Sequence, residues 1–560
     1  MNASDHPFAA IAAAVPAFGA ALRRHDAGDL AGARAAYLEL IDLPGLTALC
    51  IHQLGLLHAA RGEPARAAEM FRQAIRLDPS QPLIYRNLTS ALDRMGDRVG
   101  AVATLVDMVG VYYRLRDHGQ CVLVSEEILA RDPLNYAAEV NLGTTLAWMG
   151  NLPPAAHHLL LALQLYGRLV PEVASISRDL EQRLVGRIPG LPAHRALPEG
   201  LPNGAIEKIE DALTTLGKVL YECCCPDEAM MCHRLSVALA PNYVLGHWNL
   251  SLALLEAGDF TAGWREYEWR WHWDLFPEPR RLLRLPTWRG ESLQGRSILV
   301  WGEQGFGDAI QFAPLINRLT DQGAQVVFEV PQPLVRLFQL SFLNAQVIGR
   351  PDTPHALTTD QPLDFVLPLM SLPDRLGLQP EQLPLDVKYL KADPEDQAFW
   401  AERLPKIAER RIGLVWGGRA AQADNAKRSI PFELLRPLFA LPGLRFHSLQ
   451  VGPAEEELSG PDQLLVEPLG PLLKDFAHTV AAIERLDLVL TVCTSVAHLA
   501  GAMGKETWLM ARKPTDWRWR GTDPISPWYP TVRIFRQSQP GDWVELLDRV
   551  AQRLMAPADE

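Results

Sequence analysis

The chain reads as a multidomain protein in which an all-α array of helix-turn-helix repeats precedes a pair of doubly wound α/β lobes. Three observations predict this. Small and large apolar residues recur through the first half with a period of about 34 residues. After Pro286 the helical period gives way to short continuous apolar runs, the pattern of parallel strands buried on both faces. Two of these runs lead straight into glycine-rich loops and then helices, about 115 residues apart, which is the spacing of two ordinary domains.

The repeat is clearest from Ala48 to Gln81, where Leu54-Gly55, Gly62, Ala67, Phe71, Ala74 and Pro79 alternate small and large positions. Small residues let two antiparallel helices approach, Phe71 fills the gap between neighbours, and Pro79 stops the second helix. These positions resemble the tetratricopeptide repeat. One period earlier stand Gly28, Ala33 and Tyr37, and one period later Leu88, Gly96, Ala101 and Leu105. A further unit starts near Tyr136 with Leu142-Gly143, Gly150, Ala155 and Ala162, and the poor register from Arg116 to Pro133 predicts one irregular helix pair. Val170 to Gly204 carries five prolines and loses the period in its second half, so it is read as an interruption or linker. Repeats resume with Leu216-Gly217, Ala229 and Pro241, then with Trp248-Asn249-Leu250, Gly258 and the run GWREYEWRW from Gly263 to Trp271. That aromatic run is read as core and interdomain packing rather than as a ligand stripe.

Stacked repeats form a concave groove suited to a peptide or protein, so the first half is expected to recognise a protein partner. Oligomerisation is the plainer alternative. No nucleophile, base or metal set stands out there. Cys223, Cys224 and Cys225, with Cys232 and His233 nearby, lack the paired spacing of a zinc site and are read as thiols on a buried helical face. Seven cysteines, a low and odd number for this length, argue against a disulfide framework.

A net charge of −12 and a pI of about 5.7 give no general attraction to nucleic acid or anionic lipid. The apolar stretch from Phe8 to Leu22 lacks a cationic flank and runs into a charged helical pattern, so it is read as structure and not as a signal peptide. No apolar run is long enough to span a bilayer. The expected location is the cytoplasm.

In the second half, ILVWG is followed by EQGFGD and a helical stretch from Ala309 to Leu319, and AQVVFEV is the next strand. IGLVWGG, residues 412 to 418, opens the second lobe, with LRFHSLQVG and LDLVLTV as later strands. Two such Rossmann-like lobes would place one cleft between their loops, beyond the carboxyl ends of the strands. Asp308 ends the first glycine loop, Lys427 and Arg428 follow the second, and Cys493, Thr494 and Ser495 follow LDLVLTV. Thr494 and Ser495 stand at a helix start, where unpaired N–H groups favour phosphate, although a plain helix cap explains the hydroxyls equally well. His498, one turn on, either touches a diphosphate or is packed. Asp308 is a catalytic carboxylate or the N-cap of the helix beginning at Ala309. Arg512, Lys513, Arg518 and Arg520, interleaved with Trp517 and Trp519, either grip an acidic donor or pack against loops.

Across about residues 295 to 556 the chain resembles the heptosyltransferase-like family of glycosyltransferases with the GT-B fold. GDAIQFAPL at Gly307 to Leu315, the Lys-containing loop before SIPFELLRPL, LQVGPAEEEL at Leu449 to Leu458, and TSVAHLAGAMGK carry the resemblance, as an ensemble in the right order. The whole chain is similar to bacterial fusions of tetratricopeptide repeats with such a module, flagellin glycosyltransferases among them. The resemblance implies Asp308 as general base, Lys427 as a phosphate or sugar contact, Glu455 near the nucleotide ribose, and Thr494, Ser495 and His498 on the diphosphate side. The place of Lys427 and Arg428 after a glycine loop favours an anion role for both over a solvated pair. Gln304, Gly307, Cys493 and Arg518 are further candidate donor contacts. The family usually has an acid where this chain has Cys493, which points to a different donor or to weakened catalysis.

The expected organisation is repeats over 1–169, an irregular linker over 170–204, further repeats over 205–285, an acceptor-side lobe over 286–405 and a nucleotide-sugar lobe over 406–560. The function implied is metal-independent, inverting transfer of a sugar from a nucleotide-sugar donor to Ser or Thr hydroxyls of a protein docked by the repeats, flagellin being one such acceptor. No cofactor beyond that donor is expected. The alternatives are heptose transfer to lipopolysaccharide and a non-catalytic repeat scaffold.

Overall fold

A computed structural model of the chain describes residues 9–193, 195–203, 208–276, 281, 283–351, 359, 361–419 and 424–556. Phe8, where the N-terminal apolar stretch begins, lies outside them. The chain divides into two compact units, Met1–Pro241 and Asn242–Glu560.

The first unit is the predicted helical repeat. Antiparallel pairs form from Pro16–Asp26 with Leu30–Leu40, Thr47–Ala60 with Pro64–Leu77, Pro82–Arg94 with Arg98–Leu115, Tyr136–Trp148 with Leu152–Gly167, and Ile209–Glu222 with Pro226–Leu239. The small residues act as the pattern requires: a Cβ on Gly55 would stand 2.6 Å from the Phe71 ring, and one on Gly143 2.7 Å from Leu159. The carboxylates of Asp29, Asp97 and Asp117 cap helices by accepting the N–H groups of Gly32, Gly100 and Gln120.

Two expectations for this half need correction. Instead of an irregular pair between Arg116 and Pro133, a single helix, His118–Arg131, follows an 18-residue helix, because Asp117 supplies a cap immediately after the left-handed turn at Arg116. The segment 170–204 is not linker throughout either. Pro171–Leu184 is a helix that buries Val173, Leu180 and Leu184, since Pro171 is compatible with a first helical turn. Beyond it the chain returns along the repeats: Asn203 donates its N–H to Leu134 O, Arg168 reaches the carbonyls of Pro198 and Gly200, and Arg195 pairs with the buried Glu139.

Cys225 and Cys232 are buried, and His233 packs against Gly217 with burial holding its imidazole down to about 3. Among the described residues no group of three or more His, Cys, Asp or Glu side chains is placed to hold a metal ion. Among them too, no helix is long and apolar enough to cross a membrane.

The second unit opens with the last repeat-like pair, α1 (Val244–Ala257) and α2 (Phe260–Tyr267), continued by a 3-10 turn over Glu268–His272. A sheet follows from β1 (Ser297–Trp301), β2 (Gln325–Val330), β3 (Gln346–Gly349) and β4 (Phe365–Pro368), parallel throughout in the order β3-β2-β1-β4. The second sheet comprises β5 (Arg410–Val415), β6 (Leu444–Ser448), β7 (Val466–Pro468), β8 (Leu488–Val492), β9 (Thr507–Ala511) and β10 (Val532–Arg536), again parallel, in the order β10-β9-β8-β5-β6-β7. Each sheet reverses its strand order beside its first strand, the place where α/β sheets open a binding crevice.

The aromatic run of α2 is packing. Trp264 lies within 5.5 Å, ring centre to ring centre, of Phe312 in the first lobe and Trp517 in the second. Arg270 is fully buried, donating to Glu268 at 2.6 Å, Glu303 at 2.7 Å and Ser371 at 2.9 Å, with Trp271 under its guanidinium. Gly258 ends α1 in a left-handed turn that strains any residue with a side chain, and Arg520 lies directly over it.

Candidate active site

The second-lobe wall begins where β8 leaves the sheet. Cys493 follows the strand, Thr494 takes an extended conformation, and α4 runs over Ser495–Ala502, with α3 (Phe306–Phe312) opposite it in the first lobe. Thr494 makes no side-chain cap; its hydroxyl lies 3.2 Å from that of Thr491. The first-turn amides of α4 therefore keep the positive end of the helix uncapped by any side chain.

His498 is packed. Its Nδ1 lies 3.1 Å from the Tyr529 hydroxyl and its ring stacks on Trp519 at 4.9 Å. Burial first, and then the charge of Arg518, hold the imidazole down to about 4, so it is neutral at pH 7. Tyr529 is hydrogen-bonded to Tyr389, whose hydroxyl donates to the carbonyl of Ile310 at 2.7 Å. The chain of partners thus starts on α4 and ends on α3.

The first-lobe wall is the loop between β1 and α3. Gln304 adopts φ +64° and turns its amide onto the Tyr267 hydroxyl, Nε2 at 2.7 Å. The helix starts at Phe306 rather than Ala309, so Asp308 is its third residue and not its N-cap. It still serves the helix end, accepting the Gly305 N–H at 3.1 Å through Oδ2. Its Oδ1 accepts from Arg518 Nη2 at 2.5 Å. Between them sits Gly307, where a Cβ would stand 2.9 Å from the His498 ring and 3.7 Å from Ser495 Cα. Glycine is what lets the two helix starts meet.

Arg518 is centred among these groups. Its guanidinium lies over Trp517 at 4.3 Å and also pairs with Asp516 at 3.1 Å. Burial alone would raise the Asp516 carboxyl, but Arg518 overrides it and holds the group below its usual range. Trp519 donates its indole N–H to Cys493 Sγ at 3.1 Å, and burial pushes the thiol up to about 11, so Cys493 is uncharged. The rest of the basic cluster disperses: Lys513 donates to Ser538 O and Arg520 lies over Phe260.

Arg428 closes on the second glycine loop, its guanidinium 3.0 Å from where a Cβ on Gly418 would be, whereas Lys427 on the same four-residue helix is exposed. Gln450 fixes that loop, its Oε1 accepting from the N–H groups of Trp416 and Gly417 and its Nε2 donating to Gly417 O. Glu455 rests on Gly470, and burial raises its carboxyl. Its Oε1 has no hydrogen-bond partner among the described residues, leaving a buried acceptor suited to a hydroxyl donor.

Asp308, Gly307, Ser495, His498, Cys493 and Arg518 thus come together, Arg428 and Glu455 line the ends of β5 to β7, Gln304 is held by Tyr267, and Lys427 is exposed. Sequence reasoning missed Tyr267, Tyr389, Gln450, Asp516 and Tyr529. The aromatic density of DWRW and SPWYP was the available signal for the last two.

One comparison with known proteins falls within the helical half. Residues 48–91 match the family model of the tetratricopeptide repeat. The chain is 30% identical over 320 residues to Protein FlbA of Caulobacter vibrioides, covering 54% of this chain and 53% of that one, so it spans about half the length of the curated relative it matches. Among solved structures it is similar to a glycosyl transferase family 9 protein of Veillonella parvula, with TM-score 0.34 and 12% identity over 46% of this chain and 92% of that one. It is also similar to the E. coli ADP-heptose lipopolysaccharide heptosyltransferase II, with TM-score 0.31 and 13% identity over 46% of this chain and all of that one.

Proposed function

We propose that the chain is a GT-B glycosyltransferase that moves a sugar from a nucleotide-sugar donor to a Ser or Thr hydroxyl of a protein held by the repeats. One observation carries this reading: a carboxylate, Asp308, and an uncapped helix start at Thr494 meet across Gly307. A helix start receives phosphate, and a carboxylate at the same place receives a proton.

In the reaction the acceptor oxygen bonds to the anomeric carbon on the face opposite the leaving group. Its proton passes to Asp308, and the electron pair of the broken carbon–oxygen bond departs on the nucleotide phosphate. Positive charge built up on the sugar in the transition state is transient. Negative charge on the leaving phosphate is met by the α4 amides, Arg518 and Arg428, so protein groups supply the stabilisation without a metal. Glu455, with its unpartnered oxygen, takes a ribose hydroxyl. Protein recognition rests on the tetratricopeptide repeats, whose grooves bind peptides, and flagellin is the acceptor to which the family resemblance points.

The test is intact-mass measurement of purified flagellin incubated with the full chain and a panel of nucleotide sugars. Addition of one glycosyl mass per modified Ser or Thr is expected; modification of lipopolysaccharide core alone, or of neither, would count against the reading. Ser495→Asp is a sharper probe of the phosphate position. It adds a negative charge at the helix start and should weaken nucleotide binding by about tenfold or more in calorimetry. Unchanged affinity would move the phosphates elsewhere.

A further inference from the structure

Asp308 and Arg518 stand 210 residues apart and on different lobes, yet they form a 2.5 Å ion pair with side chains only 14% and 15% exposed. This pairing occupies the oxygen of Asp308 that the helix end does not use. The two roles the site requires of these residues are then in competition. A carboxylate that accepts from a guanidinium is a poor acceptor for a substrate proton, and the Arg518 Nη2 held by Asp308 is drawn away from phosphate.

We propose that Arg518 is a transferable cation: a nucleotide phosphate arriving at the α4 start draws its Nη2 from Asp308, freeing that carboxylate for the acceptor hydroxyl, so the donor must bind first. The proposal rests on the reading of the α4 start as the donor site. Three features make the transfer short. Arg518 stays charged at any working pH, so it always needs an anionic partner. Asp516 and the Trp517 face anchor the rest of the group, so only the outer nitrogen has to change partner. The receiving helix start is close, since a Cβ on Gly307, the residue before Asp308, would meet both Ser495 and His498, and the Arg518 charge already acts on His498 and Cys493. A phosphate offers more negative charge than a carboxylate and takes a guanidinium bidentately.

Linkage then makes a sign prediction. If Asp308 and phosphate compete for Arg518, removing the Asp308 charge must tighten phosphate binding. Plain repulsion between Asp308 and phosphate would have the same sign, so the decisive quantity is the coupling between the two residues. Calorimetry of the full chain with ADP, GDP, UDP, CDP and CMP identifies the best ligand, which is then measured on Asp308→Asn, Arg518→Gln and the double variant. Asp308→Asn is expected to bind at least about fivefold more tightly, Arg518→Gln at least about tenfold more weakly, and the double variant like Arg518→Gln alone, the scale of one charge-assisted hydrogen bond. Unchanged affinity in Asp308→Asn, or the same tightening with and without Arg518, overturns the transfer while leaving the donor site in place. Absence of binding by the unaltered chain to every nucleotide overturns the donor site and the transfer with it. Should Arg518→Gln fail to fold, Arg518→Lys replaces it: a point charge cannot bridge two anions in the same way, so the coupling should shrink, and full coupling would overturn the proposal.

Discussion

Asp308→Asn is expected to lower sugar transfer by about two to four orders of magnitude, the usual scale of a lost general base. Asn keeps the shape and can still accept the Gly305 N–H that Asp308 accepts, so α3 should start where it does now. The loss should appear in initial rates at saturating donor and acceptor, with circular dichroism unchanged. Full activity would reduce Asp308 to a residue that closes a helix end. Glu303, the other acid of the loop, is a poor replacement: it is 1% exposed and its Oε1 is held by Arg270, away from α4. Asp308 is the carboxylate that stands beside Gly307 and Ser495, and this placement makes the expected loss so large.

Much of this arrangement was legible in the chain. ILVW, QVVFEV, IGLV and LVLTV announce themselves because a parallel strand covered on both faces is a continuous apolar run. β3, β4 and β7 did not, since strands of three or four residues at or near sheet edges leave too short a run to count. The start of α3 was misplaced by three residues because Gly305 stands at the cap and offers no side chain to mark it. Asp308 was visible as the residue that closes a glycine loop, and Thr494 as the one that follows a strand and opens a helix, both purely local patterns. The Arg518 pair, the Tyr529 contact to His498 and the Gln450 clamp join residues 31 to 210 positions apart. Nothing in local composition encodes such meetings, so the sequence exposed Arg518 as one member of a basic cluster and hid which member reaches the site.

Arg270→Met is expected to destabilise the second unit by about 3–5 kcal/mol, the cost of leaving a buried charge without its partner. The side chain is wholly buried, and its loss strands Glu303 together with the hydrogen bonds to Glu268 and Ser371. The pH dependence has a definite sign. Burial raises the Glu303 carboxyl from 4.5 to about 7, against the opposing pull of Arg270. A carboxyl raised in the folded state binds its proton more readily there than in the unfolded chain, so stability is lost as pH climbs from about 4.5 to about 7 and levels off above that. Arg270 limits that erosion by attracting the ionised form. Its removal should therefore cost more at pH 8, where Glu303 would ionise without a partner, than at pH 5, where it carries a proton in either protein. Thermal or urea unfolding at the two pH values reads the difference, and an equal loss at both would show that Glu303 is not the group responsible. The same network predicts where the second unit can be cut. A fragment from Asn242 retains Trp264, Tyr267 and Arg270 and should melt cooperatively, whereas one from Pro286 loses all three and should aggregate, because the helix pair that resembles a last repeat is built into the core of the lobes.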